Sequence, residues 1–246
     1  MKKFFALLTT TAALLAFGGC GEKGPTGAPA GGGAATVKVT EIRFSLLPDS
    51  NKDKENARYT AIENYLTKAL GMPVKRAPAA DYKAVVTGMA GNSVELAWYG
   101  GVTGVQIMDT AKESKTDVEF IACRESDLKF KSYLIANKKA VDEGRIPATI
   151  NNLADLKPLA SKLSITFGPK LSTSGRVMPW SFMVKAGIEP SKDFSKQGFS
   201  SGHDNTIELV NNGTFDLGVV NFTNWDGSKA KDNTVKVFTT PEYTDY

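Results

Sequence analysis

Ser172, Thr173, Ser174 and Gly175 stand together in "FGPKLSTSGRVMP", three hydroxyls and a glycine between two apolar runs. Their place predicts a helix start, where the first backbone N–H groups lack intrahelical partners and the helix dipole presents its positive end. Hydroxyl donors there hold an oxyanion without a formal cation, and short side chains let it approach the backbone. One serine at such a position is commonly only a helix cap. Three hydroxyls and a glycine exceed what one cap uses, so the segment reads as an anion site. The only histidine, His203 in "SSGHDN", stands at a second predicted helix start. Its imidazole adds a hydrogen-bond donor, with Asp204 as N-cap. Tyr99 offers a phenol from an earlier strand end. A hydrolytic triad of Ser174, His203 and Asp204 is the enzymatic alternative. It fits poorly, because "STSGR" is not G-x-S-x-G and adjacent His203 and Asp204 do not readily orient one another. No Cys/His cluster has metal spacing and no carboxylate pair shares a helix face, so no cofactor is expected.

Open α/β sheets bind ligands beyond the carboxyl ends of their strands, so strands must end just before these residues. Val37 to Leu47 alternates as a strand and stops at Pro48-Asp49. Tyr59, Ile62, Leu66 and Leu70 share a helical face closed by Gly71 and Pro73. Pro73 to Ala77 follows as a short strand, Asp81 caps a helix that buries Tyr82, Val85, Val86 and Met89, and Val94 to Tyr99 is the next strand. That alternation predicts parallel pairing through right-handed crossovers. The plan returns as a strand at Leu163 to Phe167, a helix at Ser174 to Lys185, a strand at Gln197 to Ser200, a helix at Asp204 to Asn211 and a strand at Phe215 to Asn221. "DYKAVVTGMAGNSVELAWYG" and "HDNTIELVNNGTFDLGVVNF" share a capped helix, a glycine turn and an apolar strand. The expectation is two similar α/β lobes, with extended stretches at Glu119 to Cys123 and Ser132 to Ala136 carrying the chain between them. Pro179 either bends its helix or begins the regular part of it, since a proline clashes with the carbonyl four residues back. Cys123 reads as a small buried hydrophobe, Trp98 and Trp225 as packing, and Glu95 and Asp216 as solvated faces.

The chain has 246 residues, 41% of them hydrophobic, which suffices for a real core. Lys2, Lys3 and the apolar Phe4 to Phe17 form a secretory signal, too short to span a bilayer. Small residues before Cys20 resemble a bacterial lipobox, which implies lipid on Cys20 and a flexible Gly/Pro/Ala tether after it. The formal charge of +4 falls to +2 without residues 1–19, and no basic cluster is interleaved with aromatics, so nucleic acid is not an expected partner.

"LAWYGG", "FGPKLSTSGRVMP", "GFSSGHDNTIELV" and "GVVNFTNWD" together resemble the phosphate, phosphite and phosphonate substrate-binding proteins of ABC importers, within them the putative selenate-binding branch. The resemblance runs from about Phe44 to Tyr246. It implies a type II periplasmic binding protein, α/β in class, whose two lobes close on a small oxyanion. It also implies delivery to a permease and its ATPase, a monomer, and a periplasmic or extracytoplasmic location. A ligand-sensing receptor module of the same fold is the alternative reading. Carried over by position, Ser172, Thr173, Ser174, Gly175 and His203 would hold the anion and Tyr99 would reach it from the first lobe, with Asp49 and Asn221 as further contacts. Relatives read S-G-S-H-D where this chain has Ser200-Ser201-Gly202-His203-Asp204. The expected organisation is a signal peptide at 1–19, lipidated Cys20 with a linker to 36, lobe 1 at 37–122, lobe 2 at 123–234 and a return crossing toward lobe 1 at 235–246. Relatives continue further, so the remainder of lobe 1 is expected to be missing.

Overall fold

β1 (Ile42–Leu46) is the middle of a three-stranded sheet, flanked in parallel by β2 (Val74–Arg76) and β3 (Leu96–Trp98). The computed structural model describes residues 39–245. The predicted signal peptide, Cys20 and the linker therefore lie outside the described residues. α1 (Lys52–Leu70) connects β1 to β2. It is capped by the Asn51 side chain, which accepts from the Lys54 N–H, and stopped by Gly71 in the left-handed region at φ 65°. α2 (Tyr82–Ala90) connects β2 to β3 and is capped by Asp81, as the sequence predicts. Phe44, Tyr59 and Val74 pack one face of this sheet, while Val85, Val86, Tyr99 and Ile107 form the cluster around α2. α3 (Gly101–Ser114), which the periodicity did not reveal, follows β3 directly.

The second sheet has five strands in the order β6-β5-β7-β4-β8. β5 (Ser164–Phe167) pairs in parallel with β6 (Lys196–Phe199) and with β7 (Leu217–Asn221), which repeats the β2-β1-β3 arrangement and bears out the repeated plan. β4 (Ser132–Asn137) and β8 (Thr234–Thr239) are a departure from it. β4 runs antiparallel to β7 and to β8, so both strands belong to the second sheet. Every residue of β4 is buried, Leu134 and Ala136 against one core cluster and Tyr133 and Ile135 against the other. That two-sided burial is why the segment reads as a continuous apolar run. The stretch 119–123 forms no strand, and Cys123 on it is exposed rather than buried.

Short helices α4 (Lys138–Asp142) and α5 (Lys157–Ala160) lead from β4 to β5. After β5 the chain makes one π-helical turn at Thr173–Val177 and then enters α6 (Met178–Lys185). The Val177 N–H reaches back to the Ser172 carbonyl at 3.0 Å. This widened turn settles the question posed by Pro179, which sits in the first turn of α6, where its missing N–H costs nothing. α7 (Pro190–Asp193) precedes β6, and α8 (His203–Asn211) lies between β6 and β7. A Cβ on Gly218 of β7 would fall 2.6 Å from Val210 and 2.9 Å from Thr206, so this glycine lets α8 lie close against the sheet. α9 (Phe222–Asp226) follows β7 at once.

Candidate functional site

Three helix starts converge. Ser172 stands just before the π-helical turn, and its Oγ accepts from the Gly175 N–H at 2.9 Å. Thr173 projects across the cleft, where its Oγ1 accepts the Val102 N–H at 3.0 Å from the first turn of α3. Ser174 Oγ lies 3.5 Å from Nε2 of His203, the first residue of α8. One lobe thus contributes the α3 start and the other contributes two more. Their dipoles add at the place where the hydroxyls gather.

Burial makes the arrangement specific. Ser172, Thr173, Ser174 and His203 are all buried. Burial lowers the His203 pKa, outweighing the pull of Asp49 and Asp204, so the ring is neutral at pH 7. Its Nδ1 accepts the Asn221 N–H at 3.3 Å, which leaves the proton on Nε2, facing Ser174. Gly175 has no room for a side chain, since a Cβ would stand 2.9 Å from Ser172 Oγ, 3.0 Å from His203 Cε1 and 3.1 Å from Gly168 Cα. Its role is to let the imidazole and the turn approach one another.

The structure brings together Ser172, Thr173, Ser174, Gly175 and His203, with the Asn221 backbone behind the ring. The Asn221 side chain itself caps α9 by accepting from the Asn224 N–H. Tyr99 is placed elsewhere. Its hydroxyl donates to the Val85 carbonyl at 3.1 Å inside the first-lobe core, and burial raises its pKa. Asp49 presents its backbone rather than its carboxylate: its carbonyl accepts the His203 N–H at 2.9 Å, while its Oδ1 takes Ser50 and Arg58.

Sequence reasoning missed the far end of the site. Asp245 is buried and accepts the Gly101 N–H of α3 at 3.2 Å and a hydrogen bond from Thr173. Burial pushes its carboxyl up to about 6, against the opposing pull of those two donors. Tyr243, its own pKa raised by burial, shares a hydrogen bond with Ser132 Oγ at 2.6 Å and reaches the Ser174 hydroxyl, and Ser132 in turn donates to the Ser174 carbonyl at 2.7 Å. No local signal marks these residues. They arrive because Phe130 and Tyr243 pair across an isolated bridge that turns the chain back to α3. Among the described residues no group of three or more His, Cys, Asp or Glu could hold a metal ion.

Two α/β lobes that meet over a cleft of helix starts and hydroxyls define a type II periplasmic binding protein. The chain belongs to the family described as ABC transporter, phosphonate, periplasmic substrate-binding protein, whose profile matches residues 44–246. It is 38% identical over 212 residues to a probable ABC transporter phosphite binding protein, PhnD1, of Prochlorococcus marinus (strain MIT 9301), covering 83% of this chain and 68% of that protein. The 1.52 Å structure of PhnD1 from that organism in complex with methylphosphonate matches with a TM-score of 0.75 and 37% identity, over 84% of this chain and 75% of that one. The phosphonates-binding periplasmic protein of Escherichia coli (strain K12) is 28% identical over 190 residues, 76% of this chain, and the chain spans 52% of its length.

Proposed function

We propose that the chain captures a small tetrahedral oxyanion between its lobes and presents it to the permease and ATPase of an ABC importer, without chemical change to the ligand. Phosphonate, phosphite, phosphate and selenate are the candidate ligands. The observation that carries this reading is the convergence of the α3, π-turn and α8 starts on Thr173, Ser174 and His203. Lipid on Cys20 would tether the protein outside the cytoplasmic membrane, the location its family implies. Asp245 refines the ligand. A carboxylate beside an anion is tolerated only when one proton is shared between them, so the site favours a ligand with an acidic O–H, or binding coupled to protonation of Asp245. A hydrolase reading fails on geometry, because Nδ1 of His203 takes a backbone N–H where a triad acid would sit, and the Asp204 carboxylate is engaged by Lys54.

Calorimetric titration with methylphosphonate, phosphite, phosphate and selenate tests the reading. Ser172→Ala with Thr173→Ala removes two donors to a charged ligand, each worth about 1.5–3 kcal/mol, so affinity should fall by about 100-fold or more with unchanged circular dichroism. Undiminished affinity in the double variant overturns the site.

A further inference from the structure

The loop after β1 does more than end a strand. Residues 48–54 of the first lobe lie on the starts of α8 and α9 in the second, through contacts that belong to none of the oxyanion donors on the hydroxyl segment. The Asp204 carboxylate accepts the Asn51 N–H at 3.1 Å and Lys54 Nζ at 2.9 and 3.1 Å. Asn224 Nδ2 donates to Ser50 Oγ at 3.1 Å. A Cβ on Gly202 would stand 3.0 Å from the Asp49 carbonyl oxygen, so the chain reads glycine where the strap seats most closely. These contacts bridge the lobes, and separating the lobes breaks all of them.

The carboxylate is committed to this bridge. Burial alone would raise the Asp204 pKa, yet the Lys54, Asn51 and Asn224 donors outweigh it and leave the group below the ordinary carboxylate range. The Asp204 side chain is 15% exposed and that of Lys54 41%. Both line an open cleft of ≈ 1160 Å³ with Glu55 and Glu208, so water competes for the pair and the bridge is reversible.

We propose that Asp204 is a closure latch, a positioning residue that touches no ligand and holds the first lobe onto the second through Lys54 and the Asn51 N–H. The inference rests on the anion-capture reading and assigns what controls release. Ligand dissociation requires the lobes to part, so every cross-lobe contact absent from the open form slows release and raises the fraction of protein that is competent to hold the anion.

Asp204 also lies in the first turn of α8, where a carboxylate suits the helix dipole regardless of Lys54. A double-mutant cycle separates the two roles. Asp204→Asn, Lys54→Met and the double variant are compared with the unaltered protein by stopped-flow tryptophan fluorescence with methylphosphonate, and by small-angle scattering without ligand. Each single substitution should raise koff by about tenfold with a smaller change in kon, and the double variant should release no faster than the worse single. The ligand-free scattering radius should grow in all three variants. Strictly additive effects, or an unchanged koff and radius in Lys54→Met, overturn the latch and leave Asp204 a helix-start residue. If the unaltered protein binds no anion, the capture reading falls, and the scattering comparison alone still decides whether the bridge holds the lobes.

Discussion

Replacing Asp245 by asparagine tests whether the missed end of the site is a strained charge. Burial pushes this carboxyl from 3.8 to about 6, with Asp127 raising it further and Thr173, the Gly101 N–H and Arg124 pulling it down. A rise of that size corresponds to ~3 kcal/mol. The folded pKa is above the unfolded one, so the native state binds the proton more tightly between about pH 4 and 6. Stability is therefore fully present below that window and is lost as pH rises through it. The Asp245→Asn variant keeps the side-chain oxygen that Gly101 and Thr173 require and has no charge to bury. Thermal unfolding of both proteins from pH 4 to pH 8 should show nearly equal Tm at the acid end. At the alkaline end the variant should be more stable by up to ~3 kcal/mol, or roughly 5–10 °C for a chain of this size. Other titrating groups are common to both proteins and cancel in the difference. A Tm difference that is constant across the range would refute the assignment of a buried, destabilised carboxylate.

Gly175→Ala should cost about 1–3 kcal/mol, because its Cβ would meet Ser172, the His203 ring and Gly168 together, and denaturant unfolding measures the loss. An unperturbed midpoint would mean that the π turn relaxes without disturbing His203. Tyr99→Phe should cost about 1 kcal/mol by removing the buried hydrogen bond that its hydroxyl donates to the Val85 carbonyl, with anion affinity unchanged. Weakened binding at full stability would return the Tyr99 phenol to the site.

How much was legible follows from how local each signal is. The hydroxyl segment, His203 and the capped helices were readable because a cap and a strand end are set within a few residues, as Asp81 to Ala84 and Ser172 to Gly175 show. α3 was not readable. Gly101 and Gly104 weaken its propensity, and its buried positions Thr103, Gly104, Ile107 and Ala111 include only two apolar side chains of any size. Glu95 and Asp216 looked like solvated faces, yet each holds strands in place. Glu95 accepts the Arg43 N–H of β1, and Asp216 accepts the Ser164 N–H and hydroxyl at the start of β5. Their partners lie 52 residues away, beyond any window of periodicity.

The reassignment of Tyr99 has a mechanistic consequence. With its phenol buried, the first-lobe donors that face the proposed site are the Gly101 and Val102 N–H groups at the start of α3, which in this structure donate to Asp245 and Thr173. Main-chain donors are the same for every side chain, so a pattern of residue types cannot display them. They also point rigidly along the helix axis, so they stabilise charge only when the opposite lobe has brought it within reach. On the proposed reading, closure and recognition are then one event. On that reading, an anion held by Ser172, Thr173 and Ser174 would meet the α3 dipole only in the closed form, and that differential contact would let ligand shift the lobes.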